Sequence, residues 1–227
     1  MIALGMLAWN QPLATRQCIE SVRRNSVGHE VQILAIDNGS TDEGATWTVV
    51  QTADWYERST VNENLSKGYN RLLRESLARG ADLVCLANND IIVPPRWLDA
   101  IVREMAADPR RYLIPNECLK DAKNVDRDGL EFLKTVKPGT VPGRRGTCLF
   151  FTPEAVEQFL PIPEQLVLWY CDDWIHHKLK KAGYRCEAVV DSPIFHYGSI
   201  SFYRREGYVA LVAKDREVYN ALTGENL

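Results

Sequence analysis

An α/β fold, with a mostly parallel central sheet covered by helices on both faces, is predicted by three features of this 227-residue chain. Apolar runs alternate with helix-patterned segments through the first half, as crossover-linked parallel strands require. Three of these runs end in polar clusters, the place where open parallel sheets bind ligands. The composition, 45% hydrophobic and 25% charged, excludes disordered and fibrous classes, and the length suits one domain with a sizeable core.

The apolar run from Met1 to Trp9 reads as a buried first strand turning at Asn10-Gln11-Pro12; it has neither the basic flank nor the cleavage site of a secretion signal. Leu13 to Arg24 has helical periodicity, and Val31 to Ile36 forms a second strand. The turn-rich Asp37-Asn38-Gly39-Ser40-Thr41-Asp42 leads into a helix over Glu43 to Thr52 and a short strand near Arg58 to Asn62. Ser66 to Arg79 is helical and stops at Gly80, before the buried strand Asp82 to Ala87. Pro94-Pro95 is expected to open a helix running to about Ala107, since proline suits a first helical turn. From Asn116 to Pro142, Lys and Asp crowd out apolar positions, which predicts a surface excursion. Gly143 to Phe151 then reads as strand, Pro153 to Phe159 as a short helix, Asp172 to Ala182 as a longer helix closed by Gly183, and Tyr184 to Val190 as strand.

A net charge of −3 gives no whole-protein attraction to polyanions. The six cysteines form no CxxC pair and several sit in apolar runs, so they are expected to be reduced thiols of a cytoplasmic protein. No apolar stretch reaches the roughly 18 residues of a membrane span, so any membrane association is expected to be peripheral.

The polar clusters are Trp9-Asn10, Asp37-Asn38 and Asn88-Asn89-Asp90, each after a strand and all within reach of one ligand. The glycine-rich phosphate loops GxGxxG and GxxxxGK[ST] are missing. A bound diphosphate then needs a divalent cation, Mg²⁺ or Mn²⁺, and Asp90 is the candidate carboxylate for it.

In order along Ile2 to Ser199, these segments resemble a family 2 glycosyltransferase with the GT-A fold, of rhamnosyltransferase-like type. Leu7-Ala8-Trp9-Asn10-Gln11-Pro12 is similar to the family's first strand and turn, and Ala35 to Asp42 to its nucleotide-base segment. Glu63-Asn64-Leu65-Ser66-Lys67-Gly68-Tyr69-Asn70 resembles its Glu-Asn-x-Gly…Asn stretch, with Ser66 where glycine is usual. Asn88-Asn89-Asp90 is similar to the Asp-x-Asp metal motif, and Cys171-Asp172-Asp173-Trp174 to the catalytic acidic block, Cys171 replacing an acid. Phe195-His196-Tyr197-Gly198-Ser199 resembles the C-terminal histidine segment.

The resemblance implies an inverting transfer of a sugar from a UDP- or dTDP-linked donor to an acceptor hydroxyl, with residues 1–110 holding the nucleotide sugar and 111–227 the acceptor. Asp172, with Asp173 as its alternate, is implied as general base, Asp37 as acceptor of a ring N–H of uracil or thymine, and Asp90 with His196 as ligands of Mn²⁺ or Mg²⁺. Trp9, Asn10, Asn38, Asn64, Lys67, Asn70, Asn88 and Asn89 are the further nucleotide-sugar contacts. Arg144 and Arg145 either grip a phosphate or an acceptor carboxylate or form a solvated pair, and Arg204 and Arg205 share that ambiguity. Trp169, Tyr170 and Trp174 either line the acceptor pocket or pack under the helix. His176 and His177 read as surface or packing residues, and His29 has no evident partner. The acceptor class spans surface glycans and small or modified-base acceptors such as hydroxymethylated phage DNA, which suit a chain without a C-terminal extension. The site is then cytoplasmic, in a host cell if the source is a phage. A nucleotidylyltransferase should instead carry a glycine-rich basic loop after its first strand, which Trp9-Asn10-Gln11-Pro12 does not supply; a noncatalytic sugar-binding module is the other alternative.

Overall fold

The computed structural model describes residues 1–119, 122–143, 146–198 and 207–226. The first half is laid out as strand and helix in turn: β1 (Ile2–Ala8), α1 (Pro12–Asn25), β2 (Val31–Asn38), α2 (Ala45–Val50), β3 (Trp55–Ser59), α3 (Leu65–Ala78), β4 (Leu83–Asn88), β5 (Ile91–Ile92) and α4 (Trp97–Ala107). The second half follows with β6 (Arg111–Leu119), α5 (Val125–Thr135), β7 (Thr140–Pro142), β8 (Cys148–Phe151), α6 (Pro153–Phe159), α7 (Cys171–Lys181), β9 (Arg185–His196) and α8 (Tyr208–Thr223).

Among the described residues the strands join one sheet in the order β3-β2-β1-β4-β8-β6-β9-β5, with β7 on β9. β1 is flanked by β2 and β4, both parallel to it, and β3 extends the parallel set. Strands buried on both faces need apolar side chains at every position, which accounts for the unbroken run in β1. Its residues divide by parity. Ile2, Leu4, Met6 and Ala8 face the layer that includes Cys18, Ile19 and Val22 of α1 and Trp97 and Ile101 of α4. Ala3 faces the opposite layer, which holds Leu72 and Leu73 of α3, Phe159 of α6 and Ile175 of α7. Beyond β4 the sheet is mixed: β8 is antiparallel to β4 and β6, β9 is parallel to β6, and β5 and β7 are antiparallel to β9.

Four sequence expectations are corrected. Pro94-Pro95 stays outside α4, which begins at Trp97 after Arg96 in a left-handed conformation; a residue before proline is turned away from helical backbone, so the pair delays the helix. The strand expected near Arg58 to Asn62 lies earlier, at Trp55–Ser59. The expected excursion from Asn116 to Pro142 contains the end of β6, α5 and β7, because a partner distant in sequence, β9, supplies the pairing that local composition did not announce. The last strand runs through His196 rather than ending at Val190, and the unforeseen helix α8 packs through Tyr219 into the second core layer. Among the described residues no helix is long and apolar enough to cross a membrane.

Candidate active site

The site lies where the parallel strands end. Asp37, the last residue but one of β2, has its carboxylate fully buried. One oxygen, Oδ1, accepts the Ser40 N–H at 3.0 Å, while Oδ2 accepts no hydrogen bond among the described residues. The nearest cation is Arg58, whose Nε stands 3.4 Å from Oδ2 and whose guanidinium lies over the Trp47 ring at 5.8 Å. A buried carboxylate oxygen left this way is costly until a donor reaches it. The turn that follows requires Gly39: its φ is +73°, and a Cβ there would sit 2.2 Å from the Val61 carbonyl carbon.

Asn10, at the end of β1, accepts the Thr41 N–H at 2.7 Å and donates its own N–H to Ser40 Oγ at 3.0 Å, which ties the first two strand exits together. Trp9 beside it is half-buried. Asn38 turns to the loop before α3, donating to Asn62 and to the Asn64 carbonyl and accepting the Glu63 N–H. Asn64 caps α3 by accepting the Lys67 N–H at 3.0 Å, and the Lys67 ammonium is 3.9 Å from Glu164.

At the β4 exit the three polar residues part. Asn89 points under α1 and donates to Thr15 Oγ1 at 2.8 Å. Asn88 and Asp90 meet His196, whose Nε2 is 3.3 Å from Asn88 Nδ2 and 3.1 Å from Asp90 Oδ1. The meeting follows from the sheet, since Ile91 of β5 pairs with His196 of β9 and the Tyr197 N–H donates to the Asp90 carbonyl. On the other side of the ring, Nδ1 faces Glu117 Oε1 at 3.5 Å, and Glu117 also accepts from Thr147 Oγ1. Burial works against the imidazolium, yet the hydrogen bonds to Asp90 and Glu117 outweigh it and carry the His196 pKa up to about 9. Glu117 was hidden in the sequence by the polar stretch around it; its one signal was a carboxylate just after the apolar Tyr112-Leu113-Ile114.

A divalent cation fits these donors. The Asp90 carboxylate and a His196 ring nitrogen suit Mg²⁺ or Mn²⁺, which draw further ligands from phosphate oxygens and water. Among the described residues no three His, Cys, Asp or Glu groups form a metal site without such completion.

A cleft of about 150 Å³ opens beside this cluster, lined by Asn88, His196, Tyr69, Thr147, Trp169 and Asp172. Asp172 stands in the first turn of α7, where the positive end of the helix dipole favours a carboxylate. Gly146 packs against it so closely that a Cβ would lie 2.4 Å from Asp172 Oδ2. Tyr69 is held as a neutral phenol: burial raises its pKa, and the charges of Asp172 and Asp90 push the same way. Tyr69, Thr147 and Arg58, like Glu117, were not singled out from the sequence; each sits near a motif residue that masked it.

Other expected residues lie elsewhere. Asn70 both donates to and accepts from the Ile162 backbone at 2.8 Å, inside the core. Tyr170 packs on Tyr219, and Trp174 donates to the Phe159 carbonyl beneath the Lys178 ammonium. Asp173 shares the first turn of α7 but does not line the cleft. His29 pairs with Asp99 at 2.9 Å, His176 meets the Tyr112 hydroxyl at 2.5 Å, and His177 meets Glu225 at 2.7 Å. Arg144, Arg145, Ser199, Arg204 and Arg205 lie outside the described residues.

Parallel strands with buried acids at their exits, joined to a mixed second half, define a GT-A fold. The sequence model of glycosyl transferase family 2 matches residues 4–158, and the chain belongs to that family. No curated protein matches the sequence significantly. Among solved structures, GalNAc-T7, crystallised with UDP, GalNAc and Mn²⁺, superposes with a TM-score of 0.66 at 12% identity, over 97% of this chain and 55% of that one. Residues 1–349 of TarS from S. aureus superpose with a TM-score of 0.66 at 14% identity, over 94% of this chain and 64% of that one. At such identities the likeness is one of fold, and this chain spans only part of either neighbour's length.

Proposed function

We propose that this chain is an inverting glycosyltransferase that moves a sugar from a UDP- or dTDP-linked donor to an acceptor hydroxyl, with a divalent cation bound at Asp90 and His196. The observation that carries the reading is the cleft itself: it brings Asp172, its one carboxylate among the described lining residues, together with Asn88 and His196 of the cation cluster. A single base suits a single displacement, whereas a two-step retaining route needs both a nucleophile and an acid/base. GalNAc-T7, with its bound UDP, GalNAc and Mn²⁺, supports the choice of donor and cation.

Asp37 accepts the ring N–H of uracil or thymine at its unmet oxygen, and Arg58 gives up its place beside that oxygen as the base arrives. Asp172 takes the proton of the acceptor hydroxyl while that oxygen bonds to the anomeric carbon and the bond from that carbon to the diphosphate breaks. When bound, the cation neutralises charge growing on the departing diphosphate. Trp169 offers an indole face to a sugar or a modified base and shields the cleft from water. The acceptor belongs to the hydroxyl compounds that such a face covers, a glycan or a hydroxymethylated base.

Purified protein supplied with UDP- or dTDP-sugars and Mn²⁺ is expected to release the nucleoside diphosphate. Asp172→Asn should slow that release about 10²- to 10⁴-fold while leaving UDP binding intact. Release that continues unchanged in the variant removes Asp172 as base, and failure of every uridine and thymidine donor to bind removes the donor assignment.

A further inference from the structure

The segment that carries Trp169 to the cleft has no regular structure of its own, and α8, which lies beyond the family match, holds it. Asp215, fully buried on that helix, gathers three consecutive backbone amides: Val167 N–H donates to Oδ1 at 3.0 Å, and Leu168 and Trp169 N–H donate to Oδ2 at 2.6 and 2.8 Å. A carboxylate is an acceptor at both oxygens, so it meets all three donors where a neutral amide cannot. From the other side the Val167 carbonyl accepts the Leu65 N–H at 2.9 Å, at the start of α3. The segment is thus clasped between α3 and α8. Immediately after it, Tyr170 adopts a left-handed φ of 64° and its carbonyl accepts the Trp174 N–H, which starts α7 and sets the turn that bears Asp172.

We propose that Asp215 is a positioning residue for the transfer reaction: by fixing the amides of residues 167–169 it sets the cleft wall, both the Trp169 indole and the approach of the Asp172 carboxylate. This rests on the transferase reading of the cleft. Asp215 touches no substrate; it acts through Trp169 and the α7 turn. Its removal should therefore spare donor affinity, which depends on the strand exits, and lower turnover.

Hydrogen exchange on the full chain tests the clasp directly. In the wild type the Val167, Leu168 and Trp169 amides should exchange as slowly as those of α8; exchange at the rate of an open loop overturns the proposal without any variant. In Asp215→Asn the same amides should exchange about tenfold faster or more. Affinity for UDP with Mn²⁺ should stay within about twofold of wild type, and turnover of whichever donor the wild type consumes should fall about tenfold or more, as a base moved off its geometry implies. Glu225→Gln, which loosens the far end of α8 at His177 and Tyr219, should leave both the amides and the turnover unchanged. Equal losses in UDP affinity and turnover, or an Asp215→Asn enzyme of normal turnover, overturn the positioning role. A wild type with protected amides that consumes no donor shows instead that the transferase reading has failed.

Discussion

The exits of β1 and β2, with Asn10 and Asp37, and the cleft wall formed by residues 165–172 are held in place by different routes. At the end of β2 the contact that orients Asp37 comes from Ser40, three residues on, and the tie to β1 spans 31 residues, within one crossover unit. The wall is held by one residue of α8, Asp215, 46 to 48 residues from the amides it accepts, and the loop before it is pinned to Asn70 across 92 residues. His196 lies between the two, 108 residues from the Asn88 that it meets. On the proposed function, the residues assigned to the nucleotide are thus held within a local unit, whereas those assigned to transfer depend on the completed tertiary fold. Damage to the first should appear in affinity, and damage to the second in turnover.

Substitutions can break that contrast. The largest effect is expected for Asp172→Asn, with turnover down about 10²- to 10⁴-fold and UDP affinity in Mn²⁺ nearly unchanged by calorimetry. A parallel fall in affinity would put Asp172 on the donor side and erase the distinction. Asp37→Ala should do the reverse: a hydrogen bond to a charged group is worth about 1.5–3 kcal/mol, so UDP affinity should fall roughly 10- to 100-fold while turnover at saturating donor holds. Equal affinity for UDP and CDP in the wild type would remove the base assignment behind it. Gly146→Ala forces a methyl into the space of the Asp172 carboxylate, and a turnover loss of about tenfold without a change in melting temperature is expected. Retained turnover there would show that the carboxylate does not need its present position.

The smallest effect concerns pH. The folded His196 titrates at about 9, above an ordinary histidine, because Asp90 and Glu117 favour its charged form. A raised folded pKa stabilises the protein fully below the unfolded value, near 6.5, and that stabilisation is lost as pH rises through about 9. In EDTA, melting temperature should therefore decline across this window, and His196→Gln should flatten the decline. An unchanged slope in the variant would mean that other groups govern it.

Much of this was legible in the chain. The runs that became β1, β2 and β4 are apolar at nearly every position because both faces are covered, and the polar residues at their ends, Asn10, Asp37 and Asp90 among them, stand out against that background. Asn70 and Asn89 shared the motif pattern yet serve the core, since the same amide that can contact a ligand can equally satisfy a buried carbonyl or hydroxyl. Asp215 carried no local signal, and Glu117 only its place shortly after an apolar run. Each matters through a partner that only the closed sheet and the packed last helix bring within reach.

Residue order, through periodicity and turn chemistry, was sufficient for the α/β class, the family resemblance and the acids at the strand exits, because those features repeat within a few dozen residues. Which candidates share one cleft, and which side chains brace it, was settled by packing across the whole chain. Burial, orientation and hydrogen-bond partners are properties of the folded neighbourhood, and no stretch of sequence contains that neighbourhood.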